Sequence, residues 1–343
     1  LYISYPVFSN EGKNLEPSMF IAEISDKHPE IVSQSVSFTA EEIFDFQALQ
    51  FLEQTPQIEP AEEEFISALL EKFSMNVTAL NNYLKCPLQF YYQNLIRIPS
   101  GKNEATEFGS AVHYALEKLF RNMQDAGKEV FPPKEEMLAN FSWYLKKHRE
   151  NFTKEAFDRR MEYGNEVLTN YYNKYINTWN KVVAVERNIR AVVVNGIPLK
   201  GKLDKLEFNG NRVNVVDYKT GDIDKAKNKL KAPNDKDPNG GDYWRQAIFY
   251  KLLIDNYKVK DWRVESTEFD FIEPDKNKVY HKQKIAITPQ DVETVEQQVT
   301  ETWKKIQNGE FYTGCGKPEC YWCNFVKENK LQKARYEHEE QEE

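Results

Sequence analysis

The sequence predicts an α/β domain of the α+β kind: a mixed sheet flanked by helices, with a helical lead-in and a Cys-containing C-terminal closure. Three observations predict it. Helical periodicity dominates residues 78–180, and period-two alternation takes over from 184 to 219. Asn-Gly pairs at 195–196 and 209–210 stand between the β-like runs as hairpin turns. Beyond 242 helix, strand pair and helix follow in turn, which does not fit a doubly wound sheet.

Taken in order, residues 1–6 (LYISYP) alternate like a strand, and 18–24 (SMFIAEI) read as a helix start with Ser18 as cap. The run 53–64 (EQTPQIEPAEEE) is Pro-punctuated and acidic, the mark of a linker. From Thr78, TALNNYLKCPLQFYYQ is helical until Pro87 breaks it after Cys86. Residues 107–125 form an amphipathic helix on which Val112, Leu116 and Leu119 or Phe120 recur, with His113 and Glu117 sharing a face. Long helices are predicted over 134–150 and 155–180, and strands over 184–194, 199–208 and 212–219. A loop over 222–242 leads to the helix DYWRQAIFYKLLID, a strand pair at 262–272 and 278–287, and a helix at 289–308. The chain has no internal repeat. It carries neither G-x-x-x-x-G-K-[ST] nor G-x-G-x-x-G, so nothing in it supports nucleotide binding.

With 343 residues, 40% of them hydrophobic and 13% aromatic, the chain is globular. No apolar run is long enough to span a membrane, and no basic-then-apolar leader opens it, so a soluble, cytoplasmic protein is expected. Leu1 stands where an initiator Met would, which suggests a piece of a longer polypeptide. The formal net charge of −8 is unevenly spread. The acidic excess lies in 1–40, in a predicted acidic linker at 41–72 and in the tail 337–343, leaving a basic body between 73 and 336. A basic body suits a polyanion partner as well as it suits a solvated surface.

The chemistry-bearing stretch is RVNVVDYKTG, residues 212–221. In a strand, Asp217 and Lys219 project to one face, where they make either a salt bridge or part of a metal site. A turn at 209–211 pairs Asp217 with Asp204 of GKLDKLEF. Two carboxylates so placed repel each other, and a divalent cation resolves the repulsion. Lys219 beside them can compensate charge, orient a water or stabilise a pentavalent phosphate. The alternative is a surface hairpin with cross-strand Asp–Lys pairs.

These residues carry a family resemblance. His113 in FGSAVHYALEKLF, Asp204 in GKLDKLEF, D-Y-K-T-G at 217–221 and Gln246-x-x-x-Tyr250 in RQAIFYKLL stand in the order of the PD-(D/E)XK nucleases. More narrowly the chain resembles the RecB-family exonucleases, including the nuclease domains of AddB-type helicase–nucleases and CRISPR adaptation nucleases, over about residues 74–330. The resemblance implies a restriction-endonuclease-like core and Mg²⁺- or Mn²⁺-dependent hydrolysis of DNA at its ends, leaving a 5′-phosphate, in double-strand break repair. It implies that His113, Asp204, Asp217 and the Tyr218 carbonyl bind metal, that Lys219 is the catalytic lysine, and that Gln246 and Tyr250 shape the site and contact DNA. Glu186 and Glu117 read as carboxylates of a solvated face, with a place outside the metal ligands as the alternative.

In iron–sulfur relatives one Cys precedes the His helix, here Cys86, and three follow the core, here Cys315, Cys320 and Cys323. Their spacing departs from those relatives, being C-x4-C-x2-C here. A [4Fe–4S] cluster is expected first and Zn²⁺ second, with four unligated thiols as the alternative. The opening 1–40 resembles the end of a superfamily 1 helicase-like motor, so the expected partners are DNA ends or single strands and a helicase subunit or missing N-terminal motor. A nuclease-like module that binds DNA or a helicase without cutting is the competing function; an acidic-tailed scaffold is a third.

Overall fold

Two hairpins and a crossover helix build the sheet that holds the site. The computed structural model describes residues 4–7, 13–15, 18–32, 34–39, 55–99, 101, 103–127 and 129–333. The chain divides into a unit Leu1–Gln54 and a unit Thr55–Glu343. In the first, α1 spans Met19–Lys27, but the Ser18 side chain makes no capping hydrogen bond, and Ser4–Pro6 is not a strand. Residues 41–54 of the expected linker, and the acidic tail, lie outside the described residues.

The second half of that expected linker is part of the larger unit. Ile58 is buried, and its N–H donates to the Tyr312 carbonyl at 2.9 Å. Helix α2, Glu63–Glu71, buries Ile66. Ile58 and Ile66, with Ala61, Leu69 and Leu70 packed against the same core, seat this acidic run, each fully buried isoleucine contributing about 1.5–3 kcal/mol.

Helix α3, Val77–Lys85, starts at Asn76, whose side chain accepts from the Ala79 N–H, and stops at Cys86. Pro87 restarts the chain as α4, Pro87–Phe90, which opens into one wide turn over Tyr91–Leu95. The His-bearing helix α5 runs Glu104–Asp125 behind an Asn103 cap, followed by α6, Lys134–Lys147, and α7, Lys154–Tyr175.

Strands β1 (Val183–Val194), β2 (Ile197–Asn209) and β3 (Arg212–Lys219) form an antiparallel meander. The first turn is Asn195-Gly196, both with positive φ (50° and 78°). The second loop is Gly210-Asn211, one residue later than Asn209-Gly210 suggested, with Gly210 at φ 64°. A two-residue loop with glycine first matches the twist of the strands it joins. After the one-turn helix α8, Ile223–Ala226, helix α9, Asp242–Asp255, returns the chain to β4, Arg263–Phe271, which lies parallel to β3. Strand β5, Lys282–Ile285, closes the five-stranded sheet antiparallel to β4. Helix α10, Pro289–Gln307, begins with a Thr288–Asp291 capping box, and α11 spans Tyr321–Glu328.

Helices cover both faces of the sheet. Phe108, Val112, Leu116, Phe141, Leu168 and Tyr171 of α5–α7 pack with Val216 and Tyr218. Leu80, Phe249, Leu253 and Val295 of α3, α9 and α10 pack with Val213 and Val215 on the other. The adjacent Val215 and Val216 are thus both buried, as in a strand covered on both sides. Among the described residues no helix is long and apolar enough to cross a membrane.

Candidate active site

Three neighbouring strands set three carboxylates in a row. One step beyond the pair Lys205–Val216, Asp204 of β2 lies against Asp217 of β3. Between the pairs Val185–Lys205 and Arg187–Leu203, Glu186 of β1 lies against Asp204. The Asn195-Gly196 turn alone would place Glu186 opposite Lys205. A register shift of one residue between Ile189 and Val192, with Ala191 at φ 58°, moves it onto Asp204. Glu186 itself has φ 50°, a left-handed conformation that strains a non-glycine residue and recurs at functional sites.

Helix α5 brings His113 to this row. One helical turn earlier, Gly109 passes Thr220, where an added Cβ would stand only 2.9 Å from Thr220 Oγ1. That close approach lets His113 Nε2 donate to the Tyr218 carbonyl at 3.1 Å while Nδ1 faces Asp204 Oδ2 at 3.4 Å. The Tyr218 N–H donates to the same Asp204 Oδ2 at 2.9 Å. Ligand atoms of His113, Glu186 and Asp204 lie within 4.8 Å of one another. One imidazole and two carboxylates are a hard, oxygen-dominated donor set that fits Mg²⁺ or Mn²⁺. Because Nε2–H is held by a carbonyl, the lone pair of the neutral ring is left on Nδ1, toward Asp204.

Asp217 is buried and engaged differently. Its Oδ1 accepts from Gln246 Nε2 at 2.9 Å and from the Tyr250 hydroxyl at 2.8 Å, and its Oδ2 accepts from Lys219 Nζ at 2.7 Å. Gln246 Oε1 also accepts from Lys219, at 3.0 Å. The four-residue spacing on α9 puts Gln246 and Tyr250 on one face, and the pair braces the Asp–Lys motif. The Lys219 ammonium lies 4.3 Å from the centre of the Tyr243 ring and 5.3 Å from that of Phe269, which fixes its direction further.

The charges are interdependent. Burial disfavours a charged His113, but Asp204, then Asp217 and Glu186, outweigh it and hold the imidazole above the ordinary histidine value. Burial likewise works against the Asp204 carboxylate, yet His113 and the Tyr218 N–H keep it below the usual range. Asp217 is pushed up by burial, with Lys219 opposing. Lys219 keeps its proton above the ordinary lysine value because Asp217 outweighs its burial. Glu186 is raised by burial, against an ion pair to Lys202.

The structure therefore gathers His113, Asp204, Asp217, Tyr218, Lys219, Gln246 and Tyr250 at one place. Sequence reasoning undervalued Glu186, whose side chain is only 10% exposed and converges with His113 and Asp204, not on a solvated face. Tyr243, the ring under Lys219, was missed as well. Its position four residues beyond the Asn239-Gly240 turn carries no motif.

A second cluster lies at the C-terminal closure. The sulfurs of Cys86, Cys315, Cys320 and Cys323 lie within 4.8 Å of one another, with Cys323 Sγ 3.8 Å from both Cys86 Sγ and Cys315 Sγ, and none is in a disulfide. Burial raises the Cys86 thiol and pushes Cys323 up to about 11. At Cys320 burial is outweighed by the Cys323 N–H and neighbouring thiols, and its thiol is lowered.

Residues 74–327 match the family model of the PD-(D/E)XK nuclease superfamily. The chain belongs to this superfamily. The mixed sheet, with the D-x-K pair at the end of β3 and the Gln-x-x-x-Tyr pair on the crossover helix, is thus a PD-(D/E)XK nuclease core. Among solved structures it is similar to a candidate exonuclease from Eubacterium rectale at 14% identity, over 81% of this chain and 96% of that one, with a TM-score of 0.48. It is also similar to SSO0001 at 16% identity, over 78% of this chain and 97% of that one, with a TM-score of 0.27. No curated protein matches the chain significantly.

Proposed function

We propose that this nuclease is a Mg²⁺- or Mn²⁺-dependent deoxyribonuclease that hydrolyses phosphodiester bonds at DNA ends, the nuclease module of a larger helicase-like protein in break repair. The observation that carries the reading is the convergence of His113, Glu186 and Asp204 beside a Lys219 whose ammonium is held by Asp217 and Gln246. The break-repair setting is supported by the RecB-type motif order alone.

A divalent ion held by His113, Glu186 and Asp204 would lower the pKa of a bound water and offset charge on the phosphate. The protein's own groups do the remaining work. Lys219, anchored at two oxygens and against two rings, keeps a proton donor aimed at one place, where it orients the attacking water and stabilises the charge growing on the phosphoryl oxygens. Gln246 and Tyr250 keep Asp217 in line, and Asp217 in turn sets the position of the lysine. Attack of the water oxygen on phosphorus breaks the bond to the 3′ oxygen and leaves a 5′-phosphate. Tyr218 holds the centre together through its backbone, with one bond to His113 and one to Asp204.

The test is degradation of linear and of closed circular DNA with Mg²⁺, with and without EDTA. Loss confined to linear DNA and abolished by EDTA is expected of an exonuclease. Asp217→Asn and Lys219→Ala should each lose at least ~100-fold in rate with their fold intact. Cleavage at the parent rate by either variant sinks the assignment, and no cleavage by the parent chain favours a non-cleaving binding module.

The four cysteines fit a metal centre too. Ligands about 2.3 Å from a tetrahedral Zn²⁺ stand about 3.8 Å apart. That is the spacing of Cys323 Sγ to its two neighbours. This favours a mononuclear thiolate site with Zn²⁺ over the [4Fe–4S] cluster that the resemblance put first.

A further inference from the structure

Two depressions adjoin the catalytic row, and their linings differ. The first, of about 510 Å³, is lined by His113, Glu186 and Asp204 together with Tyr114 and Tyr144. Tyr114 stacks on Trp143 with ring centres 5.4 Å apart and planes 27° apart, and meets Tyr144 at 5.4 Å. Trp143 is 49% exposed although it sits on a helix whose neighbours Phe141 and Leu145 are fully buried. Lys118 lies 5.5 Å from the Tyr114 ring centre, and Lys147 lies 5.0 Å from that of Trp143. A half-exposed ring face with ammonium groups beside it suits a stacked base and the phosphate next to it.

The second depression, of about 600 Å³, is lined by Gln246 and Tyr250 on one side and by Arg190, Lys200 and Lys202 on the other. It also takes in Asn76 and Val77, at the N-terminus of the nine-residue α3. Lys202 lines both depressions, so they meet at the catalytic row. Among the described residues neither the Arg190 nor the Lys200 side chain has an ion-pair or hydrogen-bond partner. Burial and the nearby charges of Arg97 and Arg190 hold the Lys200 amine below the ordinary lysine value, so an anion there would relieve real repulsion. The bulge that seats Glu186 is also what presents Arg190.

We infer that a single-stranded nucleic acid crosses this site, with its bases stacked on Trp143 and Tyr114 on one side of the scissile phosphate and its backbone held by Arg190 and Lys200 on the other. The inference rests on the nuclease reading for the position of that phosphate. Rings of this size accept any base, and cations without protein partners track phosphates, so the recognition is tolerant of sequence. A blunt duplex keeps its bases stacked inside the helix and offers nothing to Trp143, so the rings select an unpaired strand.

Binding of fluorescein-labelled oligothymidine, about 20 nucleotides long, and of a blunt duplex is measured by anisotropy in Ca²⁺ with EDTA-treated controls. Trp143→Ala should weaken oligothymidine binding about tenfold and leave duplex binding unchanged, while Trp143→Phe restores most of the loss. Arg190→Ala with Lys200→Ala should flatten the salt dependence of oligothymidine binding by about 1.4 logarithmic units per decade of salt. Unchanged oligothymidine affinity in Trp143→Ala, or an equal loss on duplex, overturns the inference even if the parent chain cuts DNA. Binding that behaves as expected in a chain that cuts nothing leaves the stacking platform standing and removes the nuclease reading.

Discussion

At the scale of single residues, the site is a set of groups held against their own preferences. Three carboxylates raise the His113 pKa above the ordinary histidine value against its burial, and that has a worked consequence. Its pKa is raised on folding, so its contribution to stability is fully present below about pH 6.5 and is lost as the pH rises through the folded value. In metal-free protein, the thermal midpoint should therefore fall across that window, and His113→Asn should remove the step. A cation must displace the same proton, so Mn²⁺ affinity measured by calorimetry should drop up to about tenfold per pH unit below the folded value. Glu186 holds a left-handed backbone in a strand, at a cost on the order of 1 kcal/mol. Glu186→Gly is expected to keep or raise the thermal midpoint while Mn²⁺ affinity collapses. A clear loss of stability in that variant would show that the carboxylate also braces the strand.

At the scale of elements, position comes from close approach. Helix α5 delivers His113 only because Gly109 lets it pass Thr220, and α9 delivers Gln246 and Tyr250 four residues apart. Gly109→Val should lever the helix away from the end of β3, costing about 100-fold in rate for a displacement on the order of 1 Å. The fold should survive, since Phe108, Val112 and Leu116 still fill the core; circular dichroism separates the two effects. Much of this level was legible in the sequence. Amphipathic spacing marked α5, the Asn-Gly turns marked the meander, and the turn at 209–211 set Asp204 against Asp217. The bulge in β1 was not legible, because Arg190 and Ala191 carry no bulge signature, so nothing in the sequence set Glu186 against Asp204 and it read as part of a solvated face.

At the scale of the whole molecule, four thiols bring the ends of the nuclease unit together. Cys86 lies between α3 and α4, while its three partners come from the last turn and helix of the unit. With Zn²⁺ bound, protein purified without chelator should be colourless, carry about one zinc per chain and lose several degrees of thermal midpoint on chelation. A brown protein absorbing near 400 nm would restore the iron–sulfur expectation. Gln57 and Ile58 make isolated bridges to Thr313 and Gln332 in these same closing segments, which is why an acidic stretch that reads as a linker is part of the fold.

The sequence by itself determined the superfamily core, the alternation of its elements and most of the residues that meet at the candidate site, because those depend on local periodicity, turn chemistry and motif order. Only the tertiary structure decided that Glu186 joins His113 and Asp204, that Asp217 is braced by Gln246 and Tyr250, and that Tyr243 lies beneath Lys219. Each of these depends on register and on contacts between residues far apart in the chain. A one-residue shift in pairing turns a strand's side chains to the opposite face, and no local pattern in β1 encodes that shift.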